Sequence, residues 1–225
     1  MSTLEDRVRA AEALLERLAA DADPARVRVA WTGGKDSTAV LFIWKAVVEH
    51  LGAGPVRAIN LDTGCKFPEV LAFRDRLARD WDIDLHVARP AVPLEGYPLA
   101  RDPVACCREL KVEPLKAAVR ATGATHLISG IRRDEHPDRA GREPLESRTD
   151  PLYVMVNPLL DWAESDVWAF HHRFGLPHCE LYDRGYRSLG CRPCTALPGA
   201  GQGERDGRNQ EKEAALSSLT DLGYF

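Results

Sequence analysis

Two sets of residues in this chain have types and spacings suited to chemistry. The first is Trp31-Thr32-Gly33-Gly34-Lys35-Asp36-Ser37-Thr38. It follows the run Arg26-Val27-Arg28-Val29-Ala30, which reads as a short strand, and leads into Ala39 to Val48, which reads as a buried helix. A strand, a glycine turn and a helix start together present backbone N–H groups and a positive dipole end, which suits a phosphate. Lys35 adds a charge and Ser37 a donor. The second set is Cys106-Cys107 with Cys191-Arg192-Pro193-Cys194. A Cys-x-x-Cys turn sets two thiolates on one centre, and a second pair completes four ligands for an iron–sulfur cluster or for zinc. Adjacent cysteines diverge in direction, which suits a cluster with separate iron corners better than one ion. Zinc and unligated redox thiols remain the alternatives.

The elements that must position these residues can be read from periodicity. Ser2 to Ala20 carries Leu4, Val8, Ala11, Leu15 and Leu18 at helical spacing, so residues 1–24 are expected to be a packing helix and its exit. Val56 to Leu61 reads as a second strand ending in Asp62-Thr63-Gly64, Phe67 to Trp81 as a helix, and Leu85 to Ala88 as a third strand. Arg89 to Pro103 is proline-rich and irregular. Leu110 to Ala121 is expected to be helical, Thr125 to Ile131 a strand, Arg132 to Asp150 a polar loop, Tyr153 to Val156 a strand and Glu164 to Phe174 a helix. Alternating strands and helices predict an α/β fold with a doubly wound parallel sheet and helices on both faces. Ligands in such sheets bind past the carboxyl ends of the strands, where the glycine turn, Asp62-Thr63-Gly64 and Gly130-Ile131-Arg132-Arg133 would meet. Residues 25–180 are expected to form the nucleotide-binding domain, and residues 181–225 an irregular cysteine-bearing segment and tail.

At 225 residues with 44% hydrophobic and 28% charged side chains, the chain fits one globular domain. No apolar run reaches bilayer length and no leader pattern opens the chain, so a cytoplasmic protein with no membrane contact is expected. A net charge of −4 gives no bulk attraction to nucleic acid. Six cysteines in such a chain favour metal or redox chemistry over a disulfide framework.

The order Gly33-Gly34-Lys35-Asp36-Ser37 differs from the Walker and dinucleotide loops. It resembles the PP-loop of the ATP pyrophosphatases, which grips the pyrophosphate of ATP. Cys106-Cys107-Arg108-Glu109-Leu110-Lys111-Val112-Glu113-Pro114-Leu115 and Gly185 to Thr195 resemble the cysteine segments of adenylylsulfate (APS) reductases. Leu61 to Gly64 with Phe67-Pro68-Glu69, Gly130 to Asp134, Asn157-Pro158-Leu159 with Trp162, and Asp166-Val167-Trp168 follow in matching order. The chain is thus similar to the phosphoadenosine phosphosulfate (PAPS) reductase family over about Val27 to Arg208. The resemblance implies a Rossmann-like fold of the adenine nucleotide alpha hydrolase type and a [4Fe-4S] cluster on Cys106, Cys107, Cys191 and Cys194.

Two departures bear on activity. The reductases carry a cysteine nucleophile in a C-terminal Glu-Cys-Gly-Leu-His segment, whereas Ala214 to Phe225 here holds none. Conversely, the PP-loop is intact, as in family members that cleave ATP, including the sulfur-inserting components of DNA phosphorothioation systems. The leading expectation is an ATP pyrophosphatase and sulfurtransferase that adenylates an acceptor, with DNA backbone phosphate named first and sulfur delivered by a cysteine desulfurase partner. The alternative is an APS or PAPS reductase served by a thioredoxin-type partner; a third reading is a nucleotide-gated scaffold for a desulfurase. ATP and Mg²⁺ are the expected cofactors beside the cluster, and a homo-oligomer is expected. Thr32, Gly33, Gly34, Lys35, Asp36, Ser37, Thr38, Asp62, Gly130, Arg132 and Arg133 are the expected nucleotide contacts. Lys35, Asp62, Cys65, Arg132 and Arg133 are the expected catalytic set, Cys65 as the thiol that receives sulfur. Arg139, Arg142, Arg205 and Arg208 are further candidates for clamping an anion.

Overall fold

The computed structural model describes residues 3–199 and 203–223. Ser2, expected in the first helix, and Tyr224 and Phe225 of the tail lie outside them. Helix α1 (Leu4–Asp21) starts at Thr3, whose hydroxyl accepts from the Asp6 N–H while the Asp6 carboxylate accepts from the Thr3 N–H. Its buried stripe is Val8, Ala11, Leu15 and Leu18, four of the five positions the spacing predicts.

Six strands form one sheet: β1 (Val27–Ala30), β2 (Arg57–Leu61), β3 (Asp84–Ala88), β4 (His126–Ile128), β5 (Leu145–Thr149) and β6 (Leu152–Val156). Their order is β3-β2-β1-β4-β6-β5. All neighbours are parallel except β5, which pairs antiparallel with β6 across a turn at Asp150 and Pro151. Central β1 is buried along its whole length, as a strand covered on both faces must be. The expected polar loop over 132–150 is corrected here: its last residues form edge strand β5. Its exposure alternates and its composition is polar, so no apolar stripe marked it.

Helices α2 (Lys35–His50), α3 (Pro68–Asp80) and α6 (Glu164–Phe174) join α1 in the larger core on one face. On the other face α5 (Glu113–Thr122) packs Leu115, Ala118 and Val119 against Ile59, Leu127 and Met155. The single helix expected over 110–121 is instead α4 (Pro103–Cys107), a π-helical turn over Arg108–Val112, and α5. A π-turn adds a residue to the ring and re-aims side chains, and here it directly follows Cys106 and Cys107. Short helices α7 (Gln210–Ala214) and α8 (Leu216–Asp221) bring the tail back against α4. Among the described residues no helix is long and apolar enough to cross a membrane.

Candidate active site at the carboxyl edge of the sheet

The turn after β1 is positioned by bonds to its neighbours. The Trp31 N–H donates to the Ile59 carbonyl, and the Trp31 indole, fully buried, donates to the Thr38 hydroxyl at 3.1 Å. Gly33 sits at φ +82, a left-handed conformation that glycine reaches without cost. Gly130, at the end of β4, lies so close to the first turn of α2 that a Cβ would be 2.8 Å from the Asp36 carbonyl carbon and 2.9 Å from the Ser37 nitrogen. The loops after β1 and β4 are therefore locked backbone to backbone.

Thr32, Gly34, Lys35, Asp36, Ser37 and Gly130 line a cleft at this edge. Ala30, Leu61, Val112 and Leu115 give it apolar wall, and Lys66, Lys111, Arg139, Arg205 and Arg208 give it cationic wall. The loop's charges are interlocked. The Lys35 ammonium, 1% exposed, lies 2.5 Å from Glu204 Oε1 and 3.1 Å from Asp36 Oδ2. The fully buried Arg132 guanidinium donates to Asp36 Oδ1 at 2.7 Å, to Glu204 Oε2 at 2.5 Å, and to Asp134. Burial works against charge on Lys35 and Arg132, but Asp36 and Glu204 outweigh it and hold both firmly protonated. Burial raises Glu204, whereas on Asp36 the same burial is overcome by Lys35 and Arg132, so Asp36 is the more strongly ionised carboxylate. Asp36, Glu135 and Glu204 each bring an oxygen within 4.8 Å of the others, hard ligands that could take a divalent cation.

Not every expected residue reaches the cleft. Gly33 and Thr38 stand behind the turn as its support. Asp62 accepts from the Gly64 N–H at 3.1 Å and faces Arg74 and Arg89, outside the cleft walls. Arg133 turns away to the Asp161 carboxylate and the Arg142 carbonyl, and Arg142 pairs with Glu146. Arg139 and Arg205 are at the cleft and meet Glu135. The Arg208 side chain donates to Ser188 at 3.2 Å, and its buried Nε has no partner among the described residues. Sequence reasoning missed Glu204 and Glu135, which complete the charge balance. It also missed Tyr182, whose hydroxyl accepts from the Lys35 N–H at 2.9 Å.

Beside the cleft, a second, small cavity is walled by Cys65, Cys106, Cys107, Cys191 and Cys194. The four thiols expected as ligands therefore converge, and Cys65 joins them. Lys111 lines both cavities. The donor set is all thiolate, the one iron–sulfur clusters use. Burial pushes the Cys191 thiol up, but Lys111, Lys66, the Thr63 hydroxyl at 3.2 Å and Lys212 bring it down to about 7. Burial and the neighbouring thiols push Cys65 up. Cys179, 1% exposed, belongs to the main core.

Residues 26–197 match the model of the phosphoadenosine phosphosulfate reductase domain. The chain is 35% identical over 158 residues to the adenosine 5′-phosphosulfate reductase of Anoxybacillus flavithermus, covering 67% of this chain and 66% of that one. It is 35% identical over 173 residues to the enzyme of that name from Rhodococcus erythropolis, covering 72% and 69%. The chain thus spans about two thirds of the length of these relatives. In fold it is similar to the phosphoadenylyl-sulfate reductase of Candida auris, solved as a phosphate complex. There the TM-score is 0.68 at 20% identity, with 87% of this chain and 98% of that one covered.

Proposed function

The chain belongs to the phosphoadenosine phosphosulfate reductase family of enzymes, and from that premise we propose that it acts on an adenine nucleotide carrying sulfate, releasing sulfite and AMP. The names of its relatives support a sulfonucleotide substrate. The observation that carries the reading is the shared wall at Lys111: a nucleotide in the cleft would end beside the five thiols. The apolar walls of the cleft suit adenine and its cationic side chains suit the phosphosulfate. Cys106, Cys107, Cys191 and Cys194 would hold a [4Fe-4S] cluster, which when bound supplies a redox-active, electrostatically tuned centre next to the substrate. That assignment leaves Cys65 as the remaining thiol of the cavity.

The chain's own chemistry then follows. The Cys65 thiol gives up its proton to solvent, against the burial that holds it up and with Lys111 favouring the thiolate, and its sulfur bonds to the sulfonate sulfur while the S–O bond to AMP breaks and AMP leaves with the electron pair. A dithiol reductant of the thioredoxin class attacks Cys65, sulfite departs, and the reductant's second thiol closes its disulfide. The net change is sulfonucleotide plus dithiol to AMP, sulfite and disulfide. Lys111, Lys66 and Arg208 neutralise charge at the scissile bond.

A second reading is supported by the Gly33–Ser37 turn, which offers Lys35 and Ser37 to the cleft as a triphosphate would require. In it ATP adenylates an acceptor oxygen with release of pyrophosphate, and sulfur from a desulfurase partner displaces AMP. DNA backbone phosphate is the acceptor named. Anaerobically prepared protein given adenosine 5′-phosphosulfate and ATP separately decides between them. Sulfite and AMP from the first, with dithiol present, supports reduction; pyrophosphate from the second overturns it in favour of the ATP reading.

A further inference from the structure

A carboxylate of the chain itself sits against Lys35, the cation that the glycine turn presents to the cleft. Glu204 places one oxygen 2.5 Å from the Lys35 ammonium and the other 2.5 Å from the Arg132 guanidinium. Its side chain is 10% exposed. Both cations are essentially inaccessible to water, and they share Asp36, which lies 3.1 Å from Lys35 and 2.7 Å from Arg132, so Glu204 supplies the second carboxylate on the pair. Two oxygens of one anion, at charge-assisted distances from a lysine and an arginine at a helix start, reproduce how a phosphate group is gripped.

The segment that carries Glu204 is anchored directly after it. The Ala196 N–H donates to the Gly207 carbonyl at 2.7 Å, Thr195 bridges Arg208, and Arg205 pairs with Glu213 at 2.6 Å. Residues 203–206 belong to no strand of the sheet, so lifting them would take Glu204 off Lys35 and Arg132 and leave both on Asp36.

We propose that Glu204 is a resident stand-in for the outer phosphate of a polyphosphate, and so sets which nucleotides the cleft accepts. A nucleotide with one phosphate and a sulfate binds with Glu204 in place. A pyrophosphate or triphosphate group must displace this segment, and bears the cost of doing so. The proposal rests on reading the Gly33–Ser37 turn as the phosphate end of the cleft, but not on which product the enzyme forms.

The test is calorimetric titration of inorganic pyrophosphate into the full, anaerobically prepared chain, with chelator present. Glu204→Gln keeps the shape and removes the charge. It is expected to bind pyrophosphate at least tenfold tighter than wild type, and adding Lys35→Ala is expected to abolish the gain. Equal or weaker binding by the Glu204→Gln chain overturns the proposal. So does Mg²⁺ alone binding wild type and not the variant, which would make Glu204 a cation ligand. A wild-type measurement guards against misfolding: saturating pyrophosphate is expected to speed tryptic cleavage after Arg205 and Arg208, and unchanged cleavage refutes a lifting segment. Sulfite release from adenosine 5′-phosphosulfate without these responses would leave the reductase reading intact and remove this one.

Discussion

Gly130→Ala asks whether the two loops at the sheet edge are held together by contact alone. The added methyl would lie 2.8 Å from the Asp36 carbonyl carbon, 2.9 Å from the Ser37 nitrogen and 3.0 Å from the Asp36 oxygen. All three are main-chain atoms of the first turn of α2, so no rotamer change relieves them. Carbon contacts are comfortable from about 3.5 Å, so the loops must part by roughly 0.7 Å. Overpacking of this kind costs about 1–3 kcal/mol. In a domain of this size each kcal/mol lowers the melting temperature by roughly 2–4 °C, so a fall of about 2–12 °C is expected. The same displacement moves Asp36 and Ser37 relative to Lys35, and misplacement near 1 Å at a reacting site costs about a hundredfold in rate. Thermal melts and calorimetric affinities for ATP and adenosine 5′-phosphosulfate read both effects. Gly141→Ala is the control: nothing lies within 4 Å of its added Cβ. If Gly130→Ala melts with the control and binds nucleotide like wild type, the backbone contact does not set the loop and the reasoning fails.

Other perturbations probe the charges and thiols. Lys35→Ala leaves Asp36 and Glu204 sharing Arg132, and breaking a buried pair costs about 3–5 kcal/mol; denaturant titration should show the loss, and adding Glu204→Gln should restore part of it. Burial lowers the pKa of His171, whose Nε2 lies 2.9 Å from the Lys35 carbonyl, so the unfolded chain takes up a proton near pH 6.5 while the folded chain resists it. Stability is therefore full above that pH and falls as pH drops toward the lowered value; His171→Gln should flatten the melting curve below pH 6.5. Single serine variants of Cys106, Cys107, Cys191 and Cys194 should each lose iron and visible absorbance. Cys179→Ser should keep both, and Cys65→Ser should keep the iron while losing turnover.

What the sequence made legible is what neighbours along the chain decide. The glycine turn, its strand and its helix lie within 24 residues of one another (27–50), and their spacing alone sufficed to place them. The exposed alternation of Leu145–Thr149 has no apolar face to announce a strand, so β5 depends on pairing with β6. Asp62 and Arg133 were drawn toward the cleft by the company they keep in sequence, yet each turns to a partner outside it. Glu204 shows the limit from the other side. In its own stretch it is one charge among several, and a solvated surface is the natural reading. Only the return of the tail across 169 positions sets it on Lys35. A motif fixes which cations a site offers. Which anion they hold at rest is decided by a distant segment, so the charge that a substrate must replace is a property of the fold, and substitutions in the tail should alter nucleotide preference as strongly as substitutions in the loop.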